Sequence, residues 1–373
     1  MRRCLLLPVM LSVLLLTGCD AQPPSTASTI RVNEAMGALP DPGFARALEP
    51  RELQFPDDHG AHPDFATEWW YLTGNVYDEN GRRFGYQLTL FRVGLRPGVA
   101  VKDSNWRSNQ LYMGHLAISD IDRARHYSAE RFARAAAGLA GARVMPFEVW
   151  LGPWSLKAGK ELFPLTLEAQ HEDMGLSLQL QPGDKPMVLQ GERGLSRKSA
   201  TPGNASYYYS FTRLPTHGEV RIGDALFAVQ GNSWLDREWS SSALDRDQSG
   251  WDWFALQLED GLELMFYQLR TKHGRIHAFS RGILVQQDGS VQTLLPGQVT
   301  LTPRRYWQAV DGVRYPIDWR LQVAEFQLDL EVRASLDDQL MDHTVHYWEG
   351  AVDVSGSHRG QGYLELSGYA NSP

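Results

Sequence analysis

Cysteine is almost absent from this sequence: of 373 residues, only Cys4 and Cys19 are cysteines. Because both lie near the amino terminus, no disulfide can cross-link the body of the fold. Stability must then come from sizeable apolar cores, which a chain of this length can build. The length exceeds that of one average domain and favours two.

Long apolar runs are also missing. After two arginines, residues 5–16 form an apolar stretch. As a helix it would extend only ~18 Å, whereas the hydrocarbon core of a bilayer is ~30 Å thick. We therefore predict a signal peptide over residues 1–18 and not a membrane-spanning helix. The Leu-Thr-Gly-Cys run that ends at Cys19 resembles the bacterial lipoprotein cleavage box, which makes Cys19 the predicted lipidation site.

Lipidation at Cys19 would place the protein in the cell envelope or periplasm, anchored to a membrane; the alternative is an ordinary signal peptide with a chance cysteine. The following residues, 19–49, are rich in Ala, Pro, Ser and Thr and are predicted to be a tether.

Basic residues are fewer than acidic ones: the sequence has 36 Lys and Arg against 44 Asp and Glu, which gives a net charge of -8. Nucleic acid is therefore not an expected partner, because binding phosphates requires a surplus of basic side chains. With 43% hydrophobic and 21% charged residues, the composition is that of a globular protein.

Strand patterns are abundant from about residue 55 onward. Leu176, Leu178 and Leu180 alternate with polar residues, and residues 326–333 repeat the same alternation. This period of two is typical of antiparallel sheets with one buried face. Tight hairpin turns are predicted where Asn or Asp precedes a glycine between such runs. These glycines are Gly81, Gly261, Gly289 and Gly312.

One helix is predicted, over Ala129–Leu139, with Ser128 as its N-cap. A weak internal repeat also indicates two β-domains. A Trp-aromatic pair, a glycine turn and a Tyr-Gln-Leu run occur first from Trp70 and again from Trp253. We predict an all-β fold of two tandem antiparallel domains, over residues 50–216 and 217–373, divided where Pro215 and Gly218 interrupt the strands.

Three polar and aromatic clusters are the candidate functional segments: residues 55–74, 231–254 and 343–369. In the first, His59 and His62 have the ligand types of a metal site, but they lie in a loop with no third histidine nearby. Structural hydrogen bonding is the favoured interpretation, so no metal or cofactor is expected. A serine nucleophile is not indicated either, because no Gly-x-Ser-x-Gly elbow occurs.

Asp236 is the candidate general acid, because its tryptophan neighbours provide an apolar environment that raises a carboxyl pKa. Such an acid can protonate an alkene or an ether oxygen, and aromatic faces can stabilise the resulting cation. A buried aspartate that caps a turn or pairs with Arg237 is equally consistent with the sequence. Glu238 would share a strand face with Asp236, so Glu238 or His59 is the candidate base that activates water.

The tryptophans and tyrosines of the three clusters are either core residues or the lining of an apolar cavity. The candidate ligand-binding residues are Glu68, Trp69, Trp70, Tyr71, Trp234, Trp239, Trp253, Tyr267, Tyr347 and Trp348.

Residues 55–74, 234–239, 347–352 and 362–366 together resemble the AttH-like family, exported bacterial proteins labelled secreted hydrolases and related to the carotenoid 1,2-hydratases. The resemblance covers about residues 50–370 and implies two tandem lipocalin-like β-barrels. In the hydratases an aspartate protonates the terminal double bond of an acyclic carotenoid. The motif position implies the same role for Asp236, with Trp234, Trp239 and Tyr267 steadying a cation. The carotenoid itself is not implied as the substrate.

The leading functional prediction is an exported, membrane-anchored protein that binds a lipid or isoprenoid and catalyses its hydration or hydrolysis. The alternative is a non-catalytic carrier or chaperone that hands a hydrophobic molecule to an ABC-type permease. A third interpretation treats the clusters as packing between the two barrels, which predicts that they face each other with no cavity between them.

Overall fold

Strands account for nearly all of the regular structure in the computed structural model, which describes residues 42–98, 107–242, 244–245 and 247–369. The predicted signal peptide and Cys19 lie outside these residues. The strands are β1 (Thr67–Asp78), β2 (Arg83–Gly94), β3 (Gln110–Asp120), β4 (Arg125–Arg134), β5 (Ala140–Arg143), β6 (Glu148–Leu151), β7 (Trp154–Lys157), β8 (Leu165–His171), β9 (Met174–Leu180), β10 (Val188–Leu189), β11 (Leu195–Arg197), β12 (Ala205–Ile222), β13 (Ala225–Ser240), β14 (Gln248–Leu258), β15 (Glu263–Thr271), β16 (Arg281–Val285), β17 (Val291–Leu294), β18 (Thr300–Gln308), β19 (Arg314–Val323), β20 (Leu328–Ala334), β21 (Leu340–Asp342), β22 (His346–Gly356) and β23 (Gly360–Ser367).

Short 3-10 helices occur at Asp57–His59, Pro296–Gln298 and Ala324–Phe326. Over the described part of the chain, no helix has both the length and the apolar character needed to cross a bilayer.

The strands form two antiparallel sheets. The first runs β4-β3-β2-β1-β13-β12-β9-β8-β7-β6-β5, with β10 and β11 paired to β12. The second runs β17-β16-β15-β14-β23-β22-β20-β19-β18, with β21 paired to β22. Each sheet curls around its own apolar core. The predicted all-β fold of two tandem lipocalin-like barrels is confirmed.

Alternation along the strands gives each sheet two buried faces. On β1, Leu72 packs into the first core, whereas its neighbour Tyr71 points the other way. On β14, Phe254 packs into the second core, and Trp253 points away from it. Tyr71 and Trp253 belong to a third apolar cluster, which joins the outer faces of the two sheets. The two barrels therefore pack against each other through aromatic strand faces.

The predicted hairpin turns are confirmed. Gly81, Gly261, Gly289 and Gly312 have φ angles of 81°, 85°, 83° and 90°. They lie between β1 and β2, β14 and β15, β16 and β17, and β18 and β19. Glycine adopts this left-handed conformation without the steric cost of a Cβ atom.

The predicted helix over Ala129–Leu139 is wrong. Its first half lies in β4, where Ala129 pairs with Leu116 of β3 and is buried in the first core. Its second half is a turn in which the Leu139 amide donates to the Ala136 carbonyl at 3.0 Å. The alanines favour a helix locally, but pairing with β3 and burial of one face override that weak preference.

The first sheet extends beyond the domain boundary expected at residue 216. That residue lies within β12, and β13 pairs with β1 from Thr67 to Asp78. The second sheet begins at Gln248. Pro215 does not end the strand, since β12 continues through it after a change of register between Phe211 and Leu214.

Candidate functional site

The pairing of β1, β13 and β12 brings polar side chains together on the outer face of the first sheet. Asp236 pairs with Tyr71 of β1 and with Ser210 of β12. Glu238, two residues along β13, pairs with Trp69 and Tyr208. Paired residues lie side by side, and alternate residues share a face. The register therefore aligns both carboxyl groups with aromatic and hydroxyl side chains.

The second sheet supplies the opposite wall. Glu349 of β22 pairs with Glu365 of β23, which in turn pairs with Trp253 of β14. Trp253 also pairs with Tyr267 of β15. A cavity of ≈ 160 Å³ lies between the walls. Its aromatic lining consists of Trp69, Tyr71, Phe91, Tyr208, Trp251, Trp253, Tyr267 and Tyr347. Its ionisable lining groups, besides the tyrosines, are Glu68, Arg92, Lys198, Asp236, Glu238, Glu349 and Glu365.

Asp236 is held by three hydrogen-bond donors. The Tyr208 hydroxyl donates to Oδ2 at 2.6 Å, and the Ser210 hydroxyl donates to Oδ1 at 2.5 Å. The Trp234 indole also donates to Oδ1, at 2.7 Å. Burial raises the pKa of the Asp236 carboxyl to about 7, although the hydrogen bonds act to lower it. A carboxyl group with this pKa can donate a proton near neutral pH.

Arg237 does not pair with Asp236, because it points to the opposite face of β13. Its guanidinium donates to Glu68 and lies 4.0 Å from the centroid of the Trp70 ring. Arg92 also donates to Glu68. Burial alone would raise the pKa of Glu68, but the two arginines hold it well below its usual range. Glu68 is therefore an ion-paired carboxylate, even though it reaches the cavity lining.

Glu238 has different partners from Asp236. Its Oε1 lies 3.1 Å from Lys198 Nζ and accepts a hydrogen bond from Ser206. Burial lowers the pKa of Lys198, but Glu238 outweighs that effect and raises it. Lys198 Nζ also lies 4.3 Å from the centroid of the Tyr267 ring. The cavity thus holds an ion pair beside an acid with a raised pKa.

Glu349 and Glu365 were not assigned a role from the sequence. The Tyr71 hydroxyl donates to Glu349 Oε1, and the Trp251 indole donates to Glu365 Oε1 at 3.0 Å. Burial raises the pKa of both carboxyl groups, and Glu365 raises that of Glu349 further. Glu349 Oε2 is buried and has no hydrogen-bond partner in the described structure. The sequence signal that could have identified them is that each is a glutamate within an otherwise apolar run of strand residues.

Comparison with known proteins assigns the chain to a family. A family model described as AttH-like matches residues 46–369. The chain belongs to the AttH-like family. The resemblance to this family seen in the sequence motifs is therefore confirmed.

The AttH-like chain is similar to a crystal structure of an AttH from Nitrosomonas europaea. The TM-score is 0.77 and the identity 33%, over 87% of this chain and 100% of that chain. Kievitone hydratase of Fusarium solani subsp. phaseoli is 26% identical over 130 residues, which are 34% of this chain and 36% of that protein. The match thus spans little more than a third of that relative's length.

A second likeness concerns the fold alone. The crystal structure of kievitone hydratase from Nectria haematococca has a TM-score of 0.64 at 14% identity, over 87% of the AttH-like chain and 98% of that chain.

Several predicted ligand-binding residues lie away from the cavity. The Trp70 indole is in the first core and donates to the His59 carbonyl at 2.9 Å. Trp348 is in the second core and donates to the Asp337 carbonyl at 2.9 Å. Trp239 stacks on His62 with a centroid separation of 4.0 Å. These tryptophans fall on the inward face of their strands, one residue out of phase with the cavity side chains.

His59 also does not line the cavity. Its Nδ1 lies 2.6 Å from the Tyr209 hydroxyl, and its ring is buried in the loop before β1. Burial, followed by the charge of Arg237, lowers the pKa of His59 to about 4. The structural hydrogen bonding expected for the loop histidines is what the contacts of His59 and His62 show, since His62 Nε2 lies 2.8 Å from Asp58 Oδ1.

The remaining predicted residues do meet at the site. Trp69, Tyr71, Trp253, Tyr267 and Tyr347 line the cavity, and Trp234 supports Asp236 through its indole. The clusters face each other across the two sheets, as the packing interpretation required. Its expectation that no cavity separates them is wrong.

Proposed function

We propose that this AttH-like protein binds a hydrophobic molecule, a lipid or an isoprenoid, between its barrels and catalyses cofactor-independent hydration or hydrolysis. The observation that carries the proposal is the position of Asp236, a buried acid with a raised pKa facing an aromatic-walled cavity. The partial similarity to a protein named kievitone hydratase supports addition of water as the reaction.

In the proposed hydration, the Asp236 carboxyl transfers its proton to one alkene carbon. The positive charge that develops on the other carbon lies among aromatic rings, whose faces attract cations. Tyr208 and Trp253 provide such faces in the cavity lining. Glu238 accepts a proton as water attacks the cation, and Asp236 is left as a carboxylate held by its three donors.

Export, lipidation at Cys19 and cooperation with an ABC-type permease belong to the proposal as predictions from the sequence. In this setting the cavity would receive its ligand at a membrane surface.

A non-catalytic carrier is the second candidate, and one observation favours it. Both oxygens of Asp236 are already engaged by donors, which suits a fixed polar anchor as well as an acid. A carrier would use the aromatic walls only for burial, at roughly 25 cal/mol per Å² of apolar surface.

Labelled water distinguishes the two functions. The full chain is incubated in H₂¹⁸O with kievitone and with geraniol, a small isoprenoid alkene, and the products are examined by mass spectrometry. We expect wild-type protein to add one labelled water and Asp236→Asn to lose roughly 10²-fold or more of the rate. Asp329→Asn, at an exposed ion pair with Arg320, is the matched control.

Binding is followed in parallel by tryptophan fluorescence. Full turnover by Asp236→Asn would remove the acid role from this residue. Probe binding without incorporation of label in wild-type protein would favour the carrier.

A further inference from the structure

Three hydrogen-bonded side chains form a series that leads from the cavity toward the protein surface. Tyr347 lines the cavity, and its hydroxyl lies 2.8 Å from His115 Nδ1. His115 Nε2 lies 3.1 Å from Glu130 Oε1. Tyr347 belongs to the second barrel, whereas His115 and Glu130 are paired residues on β3 and β4 of the first. This series of side chains therefore crosses the interface between the barrels.

The surroundings define the direction of each hydrogen bond. Burial alone would raise the pKa of Glu130, but hydrogen bonds from His115 and Thr344 outweigh it and lower the pKa. Glu130 is thus a carboxylate that only accepts, so His115 Nε2 must carry a proton. In the neutral ring Nδ1 is then an acceptor to which the Tyr347 hydroxyl can donate. Burial, with the charges of Glu349 and Glu365, raises the pKa of that hydroxyl well above its usual value, so it carries a proton to donate. Gln87 Nε2 donates to the Tyr347 oxygen at 3.0 Å.

Packing holds His115, the middle residue of the series, rigidly in place. The His115 side chain is fully buried, and its ring centroid lies 5.6 Å from that of Tyr347 and 5.4 Å from that of Phe91. Among the described residues, the other titratable ring against it is that of His343, at 6.0 Å. Glu130, by contrast, keeps 13% of its side-chain surface exposed. Tyr347, at one end of the series, thus lies at the cavity, and Glu130, at the other end, lies near solvent.

We propose that Tyr347, His115 and Glu130 form a proton relay in which Tyr347 acts as a base toward a hydroxyl group of the bound ligand, whereas Glu238 remains the base toward water. The arrangement of carboxylate, imidazole and hydroxyl is the one that activates serine in hydrolases, with a phenol in place of the alcohol. Tyr347 is the catalytic residue of the relay, and His115 and Glu130 are positioning residues.

The proton balance of the step is simple. The Tyr347 hydroxyl passes its proton to His115 Nδ1 as the phenol oxygen accepts a proton from the ligand hydroxyl. The imidazolium that forms remains bonded to the Glu130 carboxylate through Nε2. The ligand oxygen, now deprotonated, is free to react. This role rests on the proposed function of the cavity, but the relay is testable without turnover.

Tyr267 is the matched control within the same cavity. It also lines the cavity, but its hydroxyl partner is Ser196 Oγ at 2.9 Å. A reactivity that depends on His115 should therefore occur at Tyr347 and not at Tyr267.

The first test is ¹⁵N NMR of the full chain labelled in histidine. We expect His115 to be protonated at Nε2 and unprotonated at Nδ1. Tyr347→Phe should shift the Nδ1 resonance toward that of a nitrogen without a donor, whereas Tyr267→Phe should leave it unchanged. The relay is refuted if the neutral ring carries its proton on Nδ1, or if Tyr347→Phe leaves the Nδ1 resonance unchanged. Either result would hold whether or not the protein is an enzyme.

The second test measures the reactivity of Tyr347 with benzenesulfonyl fluoride. The phenol oxygen bonds to sulfur, fluoride leaves, and the phenol proton passes to His115. Peptide mass spectrometry should find that His115→Gln slows the labelling of Tyr347 by roughly 10²-fold and leaves the labelling of Tyr267 unchanged. Glu130→Gln should slow the labelling of Tyr347 less. Labelling of Tyr347 that is independent of His115 would refute the base role.

Discussion

At the scale of single residues, the alternation of β13 gives neighbouring side chains opposite chemical roles. Asp236 faces the cavity, where burial raises its pKa to about 7. Arg237 faces the other way and neutralises Glu68. Because the two side chains lie on opposite faces, the arginine cannot hold Asp236 in its charged form. The acid role proposed for Asp236 depends on that separation.

Glutamine substitutions should distinguish the neutral carboxyl groups from the charged ones. In Glu349→Gln a buried acid with a raised pKa is replaced by a neutral isostere that still accepts from Tyr71, so we expect the free energy of unfolding to change by less than about 1 kcal/mol. Glu68→Gln leaves Arg92 and Arg237 buried without a counter-charge and should cost about 3–5 kcal/mol. Urea denaturation at pH 7 measures both, and equal losses would contradict the raised pKa of Glu349.

Sequence reasoning reached some of these residues and missed others. Asp236 stood out because tryptophans flank it in the chain itself. Glu349 and Lys198 gave no comparable signal, since the aromatic groups and charges around them come from distant strands. His59 is a candidate base by sequence, but its ring lies against Tyr209 and does not line the cavity.

At the scale of strands and turns, local patterns predicted most of the fold. Turn glycines and period-two alternation are properties of short segments, and both were confirmed, except that Phe326 ends a 3-10 helix and the strand begins at Leu328. The helix expected over Ala129–Leu139 failed because alanine is tolerated in a strand when the partner strand and a buried face are available. The continuation of the first sheet through β13 rests on pairing with β1, over 150 residues earlier, which no local pattern shows.

Close contact between β1 and β13 should make Gly231 intolerant of a side chain. A Cβ atom there would overlap the carbonyl oxygen of Asn75 and lie 2.8 Å from the Cα of Val76. We expect Gly231→Ala to destabilise the protein by about 1–3 kcal/mol, as overpacked sites do. Gly159→Ala, where no atom lies within 4 Å of the new Cβ, should change stability by less than about 0.5 kcal/mol. Thermal unfolding compares the two, and equal midpoints would contradict the described strand packing.

At the scale of the whole molecule, the functional groups meet because two barrels pack through their outer faces. Each barrel interior is filled by its own core, so the cavity is a product of the interface between them. The motif resemblance predicted two barrels, but the placement of the cavity follows from how the sheets dock. The same docking leaves inward tryptophans such as Trp70 and Trp348 in the barrel cores and away from the cavity.

The central claim is that burial between the barrels keeps Asp236 protonated in a site built to hold an apolar ligand. Isotope-edited infrared spectroscopy of protein labelled with ¹³C in its aspartate carboxyl groups tests it directly. At pH 5.5, below the pKa of about 7, the difference between wild-type protein and Asp236→Asn should contain the carbonyl band of a neutral carboxyl group. That band should disappear from the difference by pH 8.5. A difference spectrum that shows only carboxylate bands at pH 5.5 would contradict the account.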